Sequence, residues 1–434
     1  MKQSQSESGN TCAFPAGPAG PDADIVVLGA GVVGVTTAYS LARRGHSVIL
    51  LDRADGPAQG SSFANGAQLS YAYTDALAQP ALLAGIPAIL AGLNPAFRLR
   101  FTPDPDFLRW CLSFLRNCTK TRFAANTRAA LALGFESRLA MADLRERHPF
   151  DFGHARPGKM HLFRDYASLQ NARDTVAIKQ VANVAQELLT PAQAIGIEPA
   201  LSEIGSFAGA LWTPSEEIGD PYRFCRGLLA VLTRHFAVRS EFGFAISGVD
   251  ERKDRIVVRS SDGMAVSARN AVVCLGADAP GVLGKMGIRA PIVPMKGYSF
   301  TAPPGASAPK VSVTDSARKI VFCRLSDSMR VAGLAELNNG DPRPDPARLK
   351  LLIDNAQAAM PNAVAYRETS AGWAGLRPMT ANSIPIIKRA RERVFLNVGH
   401  GMLGWTFAAG AAERVATLIE AEVGNPKNDR SCIE

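Results

Sequence analysis

The chain has 434 residues, of which 47% are hydrophobic and 20% are charged, and its formal net charge is +9. This length is enough for two or three domains with a large buried core. The positive charge favours anionic substrates or an anionic membrane surface. Nucleic acid is not an expected partner, because no run of Lys and Arg is interleaved with aromatic residues.

The cysteines and histidines give no sign of a metal site. The seven cysteines are scattered and form no CxxC pair, which argues against structural zinc and against a disulfide framework and is typical of a cytoplasmic protein. His148, His154 and His161 do not share one helical face, so we expect no metal. Residues 1–23 are polar, rich in Gly and Pro and without the apolar segment of a signal peptide, so they predict a disordered tail.

The first motif with a chemical meaning follows a short apolar run. Residues 24–28 predict a buried strand, and the next six fit G-x-G-x-x-G: Gly29, Ala30, Gly31, Val32, Val33 and Gly34. A predicted helix, a second strand and then Asp52 complete a dinucleotide-binding pattern, in which the glycines approach a pyrophosphate and the acid binds ribose hydroxyls. The acid disfavours NADP. A βαβ unit without a nucleotide is the alternative.

The motif alone does not separate NAD from FAD. Residues 255–260 and 264–268 predict a hairpin around Ser261-Asp262-Gly263, and residues 270–275 predict a further buried strand that ends at Gly276. A nucleotide domain interrupted in this way is typical of two-domain flavoproteins.

A second glycine-rich turn lies near the end of the chain, in FLNVGHGMLGWTFAA (395–409). A strand pattern ends at Val398 and a helical pattern begins at Trp405, with Gly399, Gly401 and Gly404 around His400. Glycines allow close approach of the backbone, and the free N–H groups of a helix start can bind a partly anionic ligand. A tight turn with a structural histidine is the alternative.

Five motifs together resemble a known family. They are GAGVVG at 29–34, SSFANGAQLS at 61–70, VPMKGYSF at 293–300, AGLRPMT at 374–380 and LNVGHGMLGWT at 396–406. Over residues 24–420 the chain resembles the flavin subunit of bacterial D-amino acid dehydrogenases, within the superfamily of D-amino acid oxidase, glycine oxidase and sarcosine oxidase.

The resemblance implies an α/β fold in two discontinuous parts. A glutathione-reductase-type, Rossmann-like FAD-binding domain is expected from residues 24–75, 215–285 and 372–420. A second, α+β substrate domain, built on a mixed and largely antiparallel sheet, is expected from residues 76–214 and 286–371.

The implied reaction is oxidative deamination of D-amino acids to 2-oxo acids and ammonia, by hydride transfer to FAD and with a respiratory quinone as the electron acceptor. Related enzymes that act on secondary amines, of the D-hydroxyproline dehydrogenase or sarcosine and glycine oxidase type, are the alternative. A flavin-binding membrane module that has lost catalysis is a third possibility. Members with covalent flavin carry a cysteine in the stretch matching residues 373–385, where this chain has none, so noncovalent FAD is expected.

Three residues are candidates for the reaction. Arg377 offers a planar fork that can bind the substrate carboxylate, as the resemblance implies, although an ion pair between domains is the alternative. The hydroxyl of Tyr298 binds the substrate or is satisfied at the edge of the core, and His400 donates a hydrogen bond near the flavin or shapes its turn. The other residues assigned to cofactor binding are Asp52, Arg53, Ser61, Ser62, Asn65, Gly66, Gly276, Gly399, Gly401, Met402, Leu403 and Gly404.

Residues 76–97 contain no charge but are interrupted by Pro80, Pro87 and Pro95, which argues against a spanning helix. Aromatic residues and arginines follow, so residues 76–118 are a candidate contact with the inner face of the cytoplasmic membrane. An ordinary lid of the substrate domain is the alternative. Elsewhere, helices are predicted at 129–147, at 167–189 and from Asp220-Pro221 to about His235, and a hairpin at 319–325 and 329–334.

Overall fold

A computed structural model describes residues 21–180, 185–369 and 372–423 of the chain. The strands are β1 (Ala23–Leu28), β2 (Val48–Leu51), β3 (Gln68–Leu69), β4 (Phe97–Leu99), β5 (Lys159–Phe163), β6 (Glu187–Leu189), β7 (Gly209–Thr213), β8 (Glu217–Ile218), β9 (Arg239–Glu241), β10 (Ile246–Glu251), β11 (Ile256–Ser260), β12 (Ala265–Val273), β13 (Val293–Ala302), β14 (Ser312–Asp315), β15 (Ile320–Leu325), β16 (Ser328–Leu337), β17 (Trp373–Met379), β18 (Ile386–Arg389) and β19 (Val394–Val398).

The helices of the described residues are α1 (Val32–Ala42), α2 (Pro80–Leu83), α3 (Ile86–Leu90), α4 (Pro105–Asn117), α5 (Lys120–Arg147), α6 (Tyr166–Gln180), α7 (Pro191–Ile197), α8 (Pro221–Phe236), α9 (Ala279–Lys285), α10 (Pro346–Ala359) and α11 (Gly404–Val423). None of the helices in these ranges is long and apolar enough to cross a bilayer.

The first sheet is built on five parallel strands in the order β9-β2-β1-β12-β19. Strands β1 and β2 are rich in Val, Ile and Leu and almost wholly buried, as expected for parallel strands covered on both faces. Strands β10 and β11 extend the sheet as an antiparallel pair. The predicted hairpin around Ser261-Asp262-Gly263 is the pair of β11 with the first half of β12. Because the carboxyl ends of parallel strands meet at one edge, the turns that follow β1, β2, β12 and β19 come together there.

Helices α1, α8 and α11 pack on one face of the first sheet in a single hydrophobic core. The Thr36 hydroxyl in α1 donates a hydrogen bond of 3.1 Å to the Ala408 carbonyl in α11, so the first and last helices are neighbours. Helix α8 begins as predicted, because the Asp220 carboxylate accepts from the backbone N–H groups of Tyr222 and Arg223 and Pro221 is the first helical residue.

The second sheet contains nine strands, eight of them in the order β17-β13-β16-β15-β14-β5-β7-β6, with β4 beside β16. Most pairs are antiparallel, and the pairs β14–β5 and β16–β4 are parallel, so the predicted mixed, largely antiparallel sheet is confirmed. The predicted hairpin of β15 and β16 is present. Helix α10 packs on one face of this sheet, where Leu352 and Ala356 join its core.

Some segments pair differently from the domain division expected from the sequence. Residues 373–379 pair with β13 in the second sheet and not in the first, because β17 is the antiparallel neighbour of β13 over its whole length. The tail predicted for residues 1–23 ends too late: Ala23 already begins β1, whereas residues 1–20 lie outside the described residues.

Two helical patterns also misplace their ends. Helix α5 starts at Lys120, nine residues before the prediction, because the Thr119 side chain caps it there. The pattern at 167–189 is helical only to Gln180, residues 181–184 lie outside the described residues, and residues 187–189 form β6.

Candidate active site

A cavity of about 970 Å³ is lined by residues of both sheets. Of the residues that the sequence singles out, those in its wall are Gly29, Gly31, Val32, Val33, Asp52, Arg53, Ser61, Ser62, Asn65, Gly66, Gly276, Tyr298, Arg377, His400, Gly401, Met402, Leu403 and Gly404. Ala30, Gly34 and Gly399 are not part of the wall. The two glycine-rich turns, which are 365 residues apart between Gly34 and Gly399, therefore face one space.

The first glycine turn is close-packed for geometric reasons. Gly29 has φ +102°, and a Cβ atom there would lie 2.8 Å from the Cys274 carbonyl oxygen. A Cβ atom on Gly34 would lie only 1.7 Å from the Gly29 carbonyl oxygen. The first glycine therefore makes the turn and the third lets α1 approach β1, so the start of α1 points into the cavity.

The acid and base after β2 lie at the same edge of the first sheet. The Asp52 carboxylate accepts hydrogen bonds from the backbone N–H groups of Ala30 at 2.6 Å and Ala54 at 2.9 Å, which fixes its orientation towards the cavity. Arg53 forms an ion pair of 2.9 Å with Asp278, and both side chains are more than half exposed. An exposed pair of this kind contributes little to stability.

The loop at 61–66 connects the two sheets. The Ser62 hydroxyl accepts from the backbone N–H of Val32 at 3.1 Å, at the start of α1. On the other side, the Ser61 hydroxyl donates to the Leu376 carbonyl in β17, and Ser299 in β13 donates to the Ala64 carbonyl. The loop therefore fixes the glycine turn of the first sheet against the face of the second.

The second glycine turn uses left-handed backbone at two positions. Gly399 has φ +80° and Gly401 has φ +58°, and a Cβ atom on Gly399 would lie 2.6 Å from the Thr380 methyl group. Helix α11 begins at Gly404, one residue before the helical pattern of the sequence, with its first turn at the cavity. A helix start carries roughly half a positive charge, so this end stabilises negative charge in the cavity.

His400 lies in this second turn and is almost completely buried. Its Nε2 atom has no hydrogen-bond partner among the described residues. Burial lowers the pKa of His400 to about 3, so the imidazole is neutral at physiological pH.

Arg377 is a cation of the second-sheet wall, and its side chain reaches from β17 across β13. Its guanidinium lies over Gly297, where a Cβ atom would come within 2.2 Å of Nη2, and it donates a hydrogen bond of 3.2 Å to the Leu334 carbonyl. No carboxylate of the described residues forms an ion pair with it. Burial alone lowers the pKa of Arg377 to about 10, which still leaves it charged at neutral pH. A desolvated cation without a counter-ion is costly unless a ligand supplies one.

Tyr298 belongs mainly to the core of the second sheet. It lies in the cavity wall, but its ring packs in the cluster that contains Phe300 and Leu352, and Lys296 Nζ lies 5.2 Å from the ring centroid. Burial and the nearby Glu336 carboxylate raise its pKa. Its hydroxyl has no hydrogen-bond partner among the described residues, and alternate residues of β13 place Gly297 and Ser299 on the Arg377 face.

A polar part of the cavity wall is missing from the sequence prediction. Lys159 and His161 of β5 project beside Tyr73, whose ring stacks on His161 at 3.5 Å between centroids. Lys159 Nζ donates to the Ser70 hydroxyl at 2.8 Å, and Glu216 lies nearby, where burial raises its pKa. The signal was the run KMHLF, where two polar residues at i and i+2 share one face of a buried strand.

The sequence matches the family described as DAO, FAD dependent oxidoreductase, over residues 24–418. The chain belongs to this family. A relative from Ralstonia nicotianae, named D-amino acid dehydrogenase 2, is 39% identical over 409 residues, which cover 91% of this chain and 96% of the relative. A second, named D-amino acid dehydrogenase and from Paramagnetospirillum magneticum, is 36% identical over 91% of this chain and 94% of its own.

Solved structures agree on the fold of this FAD-dependent oxidoreductase. Glycine oxidase from Geobacillus kaustophilus gives a TM-score of 0.72 at 18% identity, with 92% of this chain and 95% of that chain covered. L-Proline dehydrogenase from P. horikoshii gives a TM-score of 0.71 at 19% identity, with 93% and 94% covered. At such identities the likeness concerns the architecture, which is that of the predicted two-sheet fold.

FAD is the cofactor of this family, and the residues of the cavity fit it. Two helix starts face the cavity, at Gly31 and Gly404, and each favours an anionic or electron-rich group. Gly29 has no room for a Cβ atom, so the backbone itself forms that part of the wall. Nε2 of His400 and Oδ1 of Asn397 are buried without partners among the described residues and line the same space, as polar atoms that a ligand can satisfy.

Proposed function

We propose that the protein is an FAD-dependent dehydrogenase that oxidatively deaminates D-amino acids to 2-oxo acids and ammonia. The observation that carries this proposal is Arg377, a half-buried guanidinium without a carboxylate partner among the described residues, in a cavity shared by both glycine-rich turns. The names of the relatives support the same substrate class.

The residues of the cavity and the bound cofactor have separate roles in this reaction. Arg377 binds the α-carboxylate through two parallel hydrogen bonds and so fixes the α-carbon in the cavity. Bound FAD supplies the two-electron acceptor for the oxidation. The amino acid loses two electrons and two protons to become an imino acid, water adds to the C=N bond, and ammonia leaves. His400 stays neutral at the second helix start and is placed to hydrogen-bond a ligand there.

We infer that the FAD is held without a covalent bond. The cavity wall contains Cys274, but burial raises the pKa of this thiol to about 12, so it is not a nucleophile at neutral pH. We also infer that the first sheet with its helices forms the FAD-binding domain and the second sheet the substrate domain, with residues 373–379 moved to the latter.

The test of this function is spectroscopic. Purified protein should be yellow, and without oxygen D-alanine should bleach the flavin absorption while L-alanine leaves it unchanged. Sarcosine and D-hydroxyproline serve as probes of the secondary-amine alternative. Protein that carries FAD but is bleached by none of these amines would refute the proposal.

We further propose that residues 76–118 contact the cytoplasmic face of the membrane and that electrons leave to a quinone there. The support is a group of exposed apolar side chains: Leu83, Leu90, Leu93, Phe101, Leu108, Leu112 and Leu115. Leu93 is 74% exposed and Phe101 66%. Helix α4 has two faces, since Phe107 and Trp110 are buried while Leu108, Leu112 and Leu115 follow one another at helical spacing on the surface.

Four arginines lie in the same segment: Arg98, Arg100, Arg109 and Arg116. Together with the leucines they match an anionic headgroup boundary. Flotation with vesicles of neutral and anionic lipid should be lost in the variant Leu90→Ser, Leu93→Ser, Phe101→Ser. The matched control is Leu139→Ser, because Leu139 is 68% exposed but lies in α5. Equal flotation of both variants would contradict the proposal.

A further inference from the structure

The cavity contains a second cation without a counter-ion. The lysines and arginines that line the cavity are Arg53, Lys159, Arg164, Lys319 and Arg377. Arg53 pairs with Asp278 and Arg164 with Asp315, and the charge of Glu216 acts on Lys159.

Lys319 differs from these three. Residue 319 as a whole is exposed, but it lines the cavity, and its ammonium forms no ion pair or hydrogen bond with the residues that the structure describes. Like Arg377, and unlike the other three basic residues of the wall, Lys319 has no carboxylate of the described residues acting on its charge.

Lys319 and Arg377 reach strand β16 of the second sheet from its two neighbouring strands. Arg377 reaches over β13 and donates to the carbonyl of Leu334 in β16. Lys319 directly precedes β15 on the other side of β16, and a Cβ atom on Gly333 would lie 2.9 Å from its carbonyl oxygen. Neighbouring strands are about 4.8 Å apart, so the guanidinium and the Lys319 backbone lie roughly two strand spacings from each other.

The backbone at this point is unusual. Lys319 has φ +55° and Leu334 has φ +58°, and both are non-glycine residues in the left-handed region. Each such residue costs free energy that the fold must offset, and these conformations concentrate at functional sites. The left-handed turn starts β15 so that Ile320 enters the core while Val321 and Lys319 line the cavity.

We propose that Lys319 binds a second carboxylate, at the end of the side chain of a dicarboxylic D-amino acid whose α-carboxylate is held by Arg377. This inference rests on the proposed function. A substrate of this kind supplies one anion to each uncompensated cation, and its two carboxylates are separated by a few bonds, which suits a flexible lysine stem opposite a guanidinium.

The experiment compares substrates of one shape and different charge. Wild-type enzyme should oxidise D-glutamate with a higher kcat/KM than D-glutamine and D-aspartate with a higher kcat/KM than D-asparagine. Lys319→Met should lower kcat/KM for both dicarboxylates by ~10- to 100-fold, the loss expected for one charge-assisted hydrogen bond, and leave D-alanine within about threefold. Lys319→Arg should retain most of the preference. Lys350→Met is the control, since Lys350 is exposed on α10 and pairs with Asp354.

A binding measurement separates this inference from the proposed function. Glutarate should perturb the flavin absorption of the oxidised enzyme at lower concentration than butyrate, and Lys319→Met should abolish the difference. The inference is wrong, and Lys319 does not bind a second carboxylate, if D-alanine is oxidised but the enzyme prefers neither the dicarboxylic amino acids over their amides nor glutarate over butyrate. If glutarate is preferred but no D-amino acid is oxidised, the anion site stands and the proposed function falls. If Lys319→Met lowers kcat/KM equally for all substrates, or shifts the flavin midpoint potential, Lys319 acts on the cofactor and the inference is wrong.

Discussion

The two walls of the cavity are built in different ways. The wall from the first sheet is mostly backbone: turns after parallel strands, the starts of α1 and α11, and positions where a Cβ atom has no room. The wall from the second sheet is mostly side chains, contributed by strands far apart in sequence, such as Lys159 in β5 and Arg377 in β17. The first wall is therefore set by local sequence, and the second by strand register, so the two should respond differently to substitution.

The largest effect is expected where the close packing of α1 against β1, directly behind the backbone wall, is disrupted. Gly34→Ala would place a methyl group 1.7 Å from the Gly29 carbonyl oxygen, which neither α1 nor β1 can avoid without separating. We expect FAD binding to be lost and the free energy of unfolding to fall by ~3 kcal/mol or more. Absorption at the flavin band and thermal unfolding measure this.

The matched control for this substitution is Gly60→Ala. Gly60 lines the cavity, and nothing lies within 4 Å of a Cβ atom there. This variant should keep its FAD and remain within ~0.5 kcal/mol of wild type. If both variants lose FAD, then an added methyl group is not tolerated even where there is open space, and the steric explanation for Gly34 is wrong.

The next largest effect tests the side-chain wall. Arg377→Lys keeps the charge but loses the two-pronged geometry, and Arg377→Ala loses both. We expect KM for a D-amino acid to rise and kcat/KM to fall by ~10²- to 10³-fold in Arg377→Ala, with an intermediate loss in Arg377→Lys, because a carboxylate then lacks its paired cation. FAD content should not change. Loss of FAD without a change in KM would assign Arg377 to the first wall.

The difference between the two walls also explains which residues of the site can be predicted from the sequence and which cannot. The turn from Gly29 to Gly34, the acid at Asp52 and the helix start at Gly404 are each read from a few consecutive residues, and all lie at one cavity. Arg377 was predicted through its motif, although residues 373–379 were expected with the FAD-binding domain and pair with β13 in the second sheet. Lys159, His161 and Lys319 were missed because their approach depends on which strands become neighbours, and a single sequence does not contain that information.

Tyr298 sharpens the comparison, because it lies in the second wall but its hydroxyl is unpartnered in the described residues. Tyr298→Phe removes a buried polar atom that has no partner, so the free energy of unfolding should stay equal or rise by up to ~1 kcal/mol. The kcat/KM for D-alanine should remain within about threefold of wild type. A loss of more than tenfold with an unchanged Tm would show that the hydroxyl contacts the substrate.

The smallest expected effect concerns His400 and pH. Burial disfavours the imidazolium and lowers the pKa of His400 to about 3, so the ring carries no charge at any pH between 5 and 9. The plot of kcat/KM against pH should therefore have no inflection from this histidine near its usual value of ~6.5, and His400→Asn should leave the shape of that plot unchanged. A wild-type inflection between pH 5.5 and 7 that disappears in His400→Asn would mean that the ring is charged during turnover. The first wall would then also act through a titrating side chain, so it would no longer differ from the second wall in being built mostly of backbone.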